Sequence, residues 1–311
     1  MTTHTTTVTR LLHSPLTRIV LGLIVCIAIN VGFQLLITKA LDHTAISHPI
    51  KSIIKGLMVS FLFIYGYTKF YSFYEKREIT EFSSKKIARY IPIGLLLGAV
   101  LQGLTIAVIW LNNGFHVVSV NPWTSLWPLV FSGAAIAIIE ETLFRGIIFR
   151  ISEEKLGTYL ALALSALIFG ALHLLNAHST IASALAVAIE GGLLLGAAFV
   201  YSRNLWFPIA IHFAWNFTQT GIFGAVTSGN ALHVSLLTST ISGNPLISGG
   251  AFGPEGSVQA MFFCSAAAIL LLIICHKQHK IIAPYWSKTK RVSAINPSDT
   301  AVSVLISAAK I

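Results

Sequence analysis

Glu140 and Glu141 stand side by side in the apolar run Ile136-Ala137-Ile138-Ile139-Glu140-Glu141, and Arg145 follows one turn later. An ionised carboxylate at membrane depth costs at least ~2.5–3.5 kcal/mol on insertion scales, so two of them point to chemistry rather than stability. Further along, His173 closes the stretch Phe169-Gly170-Ala171-Leu172-His173, and His212 opens His212-Phe213-Ala214-Trp215-Asn216. These residue types suit hydrolysis of a peptide bond. A carboxylate can take a proton from water near neutral pH, and a neutral histidine can hold that water in place. A second histidine and an asparagine can donate hydrogen bonds to the oxyanion that forms. The alternative chemistry is metal binding: Glu140, His173 and His212 could complete a zinc site, with Asn216 outside it.

Helix geometry divides the roles further. Glu140 and Glu141 differ by about 100° around a helix, so they are not expected to point at one target. Glu141 and Arg145 are i,i+4 and expected to pair, which leaves Glu140 as the freer carboxylate. His212 and Asn216 are also i,i+4 and share a face, and Phe169, one turn before His173, is placed to wall the same pocket. A turn at Gly157 lies 17 residues after Glu140 and 16 before His173. In an antiparallel pair both therefore sit ~25 Å from that turn. His212 is only about 8 residues, or ~12 Å, from the turn near Asn204. The heights agree if the hairpin around Gly157 projects beyond the membrane by roughly two turns, with the site in the cytoplasmic half and opening that way.

The elements that must position these residues read as membrane spans. Charged residues make up 10% of the 311 and hydrophobic residues 55%, against about 25% charged in soluble domains. Mean hydropathy is +0.77. The fold class expected is all-α: a polytopic membrane protein of about eight transmembrane helices, near 18–38, 52–72, 91–111, 124–149, 158–177, 180–202, 205–225 and 257–276. The first run is too long for a signal-peptide core and reads as an uncleaved span. Residues 1–123 form an N-terminal three-span region, with the charged segment 73–90 expected along the membrane surface. Residues 124–276 form the core that carries the polar residues. Residues 277–311 form a basic tail whose end is expected to be disordered. The Gly- and Ser-rich segment 226–256 reads as a loop, and within it Glu255 suits the start of the last helix. Cys26, Cys264 and Cys275 lie in apolar runs and read as small core residues.

The 21 Lys and Arg exceed the 11 Asp and Glu, and topology explains this better than nucleic acid does. With the N-terminus inside, 17 basic residues fall on the inner side and Lys39, Lys51 and Lys55 on the outer, which puts both termini in the cytoplasm. The partners expected are the lipid bilayer and a membrane protein or peptide substrate. His43, His48, His116, His178 and His233 fall in loops or at span ends and read as structural. There is no HExxH, no aspartate pair within a span and no GxSxG-like motif in a span, which removes support for the site-2 zinc, aspartyl and serine intramembrane mechanisms. A transporter using Glu140 as a relay ranks last, because no inverted repeat is visible.

At these residues the chain resembles the CPBP family, the type II CAAX prenyl endopeptidases. The family pattern EExxxR, FxxxH and HxxxN is met by Glu140-Glu141 with Arg145, by Phe169 with His173, and by His212 with Asn216. The approach Ser202-Arg203-Asn204-Leu205-Trp206-Phe207-Pro208 and the stretch GGAFGPEGS also look familial. The resemblance implies a glutamate-dependent intramembrane endopeptidase, a hydrolase of membrane-associated, possibly lipidated substrates. Glu140 and His173 would activate water, His212 and Asn216 would form the oxyanion hole, and Glu141, Arg145 and Phe169 would support them. Members are often labelled metalloproteases, yet the motifs do not require a metal, and no required cofactor is expected here. The alternative is a non-catalytic immunity or scaffold protein of the same fold.

Overall fold

The computed structural model describes residues 7–231 and 234–287. The chain runs through α1 (Thr7–Leu12), α2 (Pro15–Asp42), α3 (His48–Glu75), α4 (Ile87–Leu111), β1 (Phe115–Val120), α5 (Trp127–Glu141) and α6 (Arg150–Leu172). It continues through α7 (Ile181–Val187), α8 (Leu195–Ser202), α9 (Trp206–Asn216), β2 (Leu237–Ile241), α10 (Pro245–Ser248) and α11 (Val258–Lys277). Ser14 and Ser257 cap α2 and α11, and proline fills the first turn of α2, α3 and α5. Three π-helical segments extend these helices: Thr142–Phe149 after α5, Ala188–Leu194 between α7 and α8, and Phe217–Ile222 after α9.

Among the described residues, six helices are long and apolar enough to cross a membrane. The all-α polytopic architecture is as expected, but the count of eight is not reached by that criterion. The segments 124–149 and 158–177 join into one run, Trp123–Leu175, and α9 with its π extension stays short. The long run is nevertheless broken at Gly157, whose φ of 73° interrupts the helix where the sequence places a turn. A Cβ there would also meet the Pro284 nitrogen at 2.6 Å.

Two glycines decide how the site is held. Gly94 and Gly98 lie one turn apart on α4, and a Cβ at Gly98 would collide with the Ile211 carbonyl of α9. This small-residue stripe lets the backbones of α4 and α9 touch, as in other close membrane helix pairs. His212 is the next residue of α9, so this contact sets its position.

The two ends of the bundle differ in chemistry. At one end Arg18 and Arg150 both pair with Glu75, and Arg77 pairs with Glu75 and Glu81. Glu81 is buried and accepts from the Tyr67 hydroxyl at 2.5 Å. Burial opposes ionisation of Glu81, but the hydrogen bond and charge of Arg77 and the Tyr67 hydroxyl outweigh it, so its carboxyl sits below the ordinary value. The segment 73–90 comprises the end of α3, a turn folded inward onto a buried carboxylate, and the start of α4. At the opposite end, β1 and β2 pair antiparallel from Phe115↔Ile241 to Val120↔Leu237, with an irregularity at Val118. The segment 226–256 is thus only partly loop. His233 and the tail beyond residue 287 lie outside the described residues.

Candidate functional site

His212 organises the site. Its Nδ1 is 2.9 Å from Glu141 Oε1, and its Nε2 is 3.9 Å from Glu140 Oε2. The expectation that adjacent glutamates cannot share a target therefore fails. An imidazole lying in the angle between two side chains about 100° apart offers each of them a different nitrogen.

The two carboxylates have different surroundings. Glu141 is wholly buried, and the oxygen that meets His212 also accepts from Arg145 Nη1 at 2.8 Å. Arg145 is itself fully buried and donates from Nη2 to the carbonyls of Gly191 and Gly192. Its guanidinium lies 4.9 Å from the centroid of Phe169. The expected pairing of Glu141 with Arg145 is present, and it extends to His212 on one side and to the π turn of Ala188–Leu194 on the other. Glu140 has no such anchor: its side chain is 32% exposed and lines the central cavity.

Phe169 walls the site, as its spacing suggests. Its ring is 4.7 Å from that of His173 and 6.5 Å, edge-on, from that of His212. His173 caps α6, and its Nδ1 lies 2.8 Å from the Phe169 carbonyl. A carbonyl only accepts, so that nitrogen carries the proton and Nε2 is left as the free position. Asn216 lies one turn beyond His212, and both face the cavity.

The cavity has a volume of about 650 Å³, and Glu140, Phe169, His173, His212 and Asn216 all line it. It extends toward the β1–β2 end, where Asn176, Thr227 and Ser228 contribute to its wall. That end lies opposite the Arg and Glu cluster. Arg203, just before α9, pairs with Glu153 and so ties the hairpin around Gly157 to the turn that starts α9.

Two further carboxylates line the same cavity, Glu190 and Glu255. Both are buried, at 5% and 3% exposure. Glu255 turns inward, accepting from Ser228 N and Oγ and from Gln219 Nε2, instead of serving the helix start suggested by its position. Glu190 was legible by the argument applied to Glu140: it too is a carboxylate inside an apolar span.

Glu140, His173 and His212 do not assemble as a zinc set here. Among the described residues, no three His, Cys, Asp or Glu side chains are grouped so as to hold a metal ion. Nδ1 of each histidine is held by a protein oxygen, which fixes the ring and leaves Nε2 as its other position.

Residues 122–218 match the family model described as type II CAAX prenyl endopeptidase Rce1-like. That span contains all three motifs, and it agrees with the resemblance carried by Glu140, His173 and His212. No curated protein and no solved structure gives a match. The apolar helices indicate an integral membrane protein, of which residues 122–218 are similar to type II CAAX prenyl endopeptidases.

Proposed function

We propose that this protein is an intramembrane endopeptidase in which Glu140 activates the attacking water. The observation that carries this reading is the unequal treatment of the two glutamates around one imidazole. Glu141 is locked between Arg145 and His212, and Glu140 is left facing the cavity. The Rce1-like match supports the reaction class.

In this mechanism water binds between Glu140 and the free Nε2 of His173. Glu140 takes a proton as the water oxygen bonds to the scissile carbonyl carbon. The oxyanion is met by the Asn216 amide and by His212, acting as imidazolium, from Nε2. Glu141 accepts from Nδ1 and fixes the ring in the orientation this requires. The C–N bond then breaks, and Glu140 returns its proton to the leaving amine. Oε2 of Glu140 and Nε2 of His212 stand 3.9 Å apart, beyond a hydrogen bond, and one oxygen can sit at hydrogen-bond distance from both. No step passes through a metal. Substrates are membrane-associated peptides or proteins, including lipidated ones, and both termini of the chain are cytoplasmic.

The test is Glu140→Gln in protein reconstituted in lipid, assayed on a quenched membrane-anchored peptide found by comparing membrane peptides from cells carrying wild type and variant. Gln keeps the volume but cannot take the proton. Hydrolysis is expected to fall ~10²–10⁴-fold with the fold retained. Activity within threefold of wild type would remove Glu140 from the mechanism.

A further inference from the structure

Glu190 and Glu255 have no part in the hydrolytic step, yet both project into the cavity where it would occur. Glu255 is fixed by three donors, Ser228 N at 2.7 Å, Ser228 Oγ at 2.6 Å and Gln219 Nε2 at 2.9 Å. Glu190 is nineteen-twentieths buried, and its Oε1 has no hydrogen-bond partner. The nearby cation does not serve it. Arg145 spends its charge on Glu141 and reaches only the carbonyls of Gly191 and Gly192, the two residues after Glu190. That grip fixes the π turn from which the Glu190 side chain projects. Glu190 and Glu255 are within electrostatic range of each other, and among the described residues no lysine or arginine lines the cavity. Three carboxylates thus share one pocket, counting Glu140, and the imidazole of His212, which also faces it, is held by Glu141 and stands beside Glu140 rather than serving Glu190. A buried acceptor left without a donor is costly, and a ligand that brings the donor relieves it.

We propose that Glu190 and Glu255 form a cation subsite that binds an ammonium or guanidinium group of the peptide substrate. The inference rests on the cavity being the substrate site. Organic cations fit better than a metal ion, because the described residues supply no third ligand. An ammonium carries three donors and a guanidinium five, which can satisfy Glu190 and the remaining lone pairs of Glu255. A substrate carboxylate at the same wall is repelled. The cation has two possible sources, a Lys or Arg side chain near the scissile bond or a free α-amino terminus.

The experiment measures binding and cleavage separately. Fluorescent membrane-anchored peptides carry Lys, norleucine or Glu at successive positions around the scissile bond, each with a free or an acetylated N-terminus. Binding is measured to full-length Glu140→Gln protein in nanodiscs, which needs no turnover, and cleavage is measured with the Glu140-containing protein. A preference for Lys over norleucine of about tenfold or more is expected at one position, or for free over acetylated amine if the terminus is the source. Glu190→Gln and Glu255→Gln, each in both backgrounds, are expected to bring that ratio close to one. Reading a ratio keeps the result independent of how much protein folds, and the second variant serves if the first cannot be purified. Equal binding of cationic and neutral peptides overturns the proposal, as does a preference that survives both substitutions. If cationic preference is found and abolished in the binding arm while no peptide is cleaved, the subsite stands and the peptidase reading falls.

Discussion

Glu141 Oε1 accepts from Arg145 and from His212, so a single oxygen joins the buried cation to the imidazole of the site. Removing one partner of a buried pair leaves the other uncompensated, typically at about 3–5 kcal/mol. Glu141→Gln and Arg145→Met are each expected to destabilise the protein. Together they are expected to do so by less than the sum, with a coupling of about 0.5–3 kcal/mol in an equilibrium unfolding cycle. Additive effects would mean that the pair is not energetically coupled. The metal question also belongs at this scale. Tight zinc coordination needs nitrogens at ~2.0–2.1 Å from one point. Among the described residues no three His, Cys, Asp or Glu side chains are grouped so as to meet that requirement. Activity is expected to persist after stringent chelation and dialysis, with well under one zinc per chain by elemental analysis. Stoichiometric zinc, with activity lost on its removal and restored on re-addition, would recast both histidines as ligands.

At the level of the element, the contact of α4 with α9 is the support on which His212 depends. Gly98→Val is expected to push α4 off the Ile211 carbonyl, lowering thermal stability and reducing cleavage at least tenfold. Gly103→Val on the same helix is the control, because a Cβ there meets nothing within 4 Å. Equal losses from both would mean that the close approach does not matter. Much of this frame was legible in the sequence. Long apolar runs can only be helices, i,i+4 spacing brought Glu141 to Arg145, and Gly157 marked its turn. The π segments were not legible, because an α-helix and a π-helix share one hydrophobic pattern and differ only by where a residue is taken up. The pairing of β1 with β2 was hidden for another reason: its partners stand more than a hundred residues apart, in stretches with little alternation. Glu255 was read from its local context, a Pro-Glu helix start, whereas the tertiary structure turns it toward Ser228 and Gln219.

For the molecule as a whole, one end is a lattice of Arg and Glu pairs and the other a small sheet, toward which the cavity extends. The basic-residue bias assigns the first end to the cytoplasm. Cysteines at Thr80 and Lys155 are expected to label only from the cytoplasmic side, and one at Thr240 only from outside. Cys26, Cys264 and Cys275 are buried and contribute little background. Reversed labelling at two of the three sites would turn the molecule over and bring the sheet end to the cytoplasm. The wide turns of Thr142–Phe149 have a consequence of another kind. An α-helix keeps its faces in phase along its length, whereas a π turn takes up about one extra residue and so rotates everything after it by about 100°. The rod from Trp127 onward thus has two phases: the first aims Glu140 and Glu141 at His212, and the second aims Arg150 at Glu75. A one-residue deletion within Thr142–Phe149 would restore a regular helix and still be damaging, because a rod in single phase can face only one of its two partners.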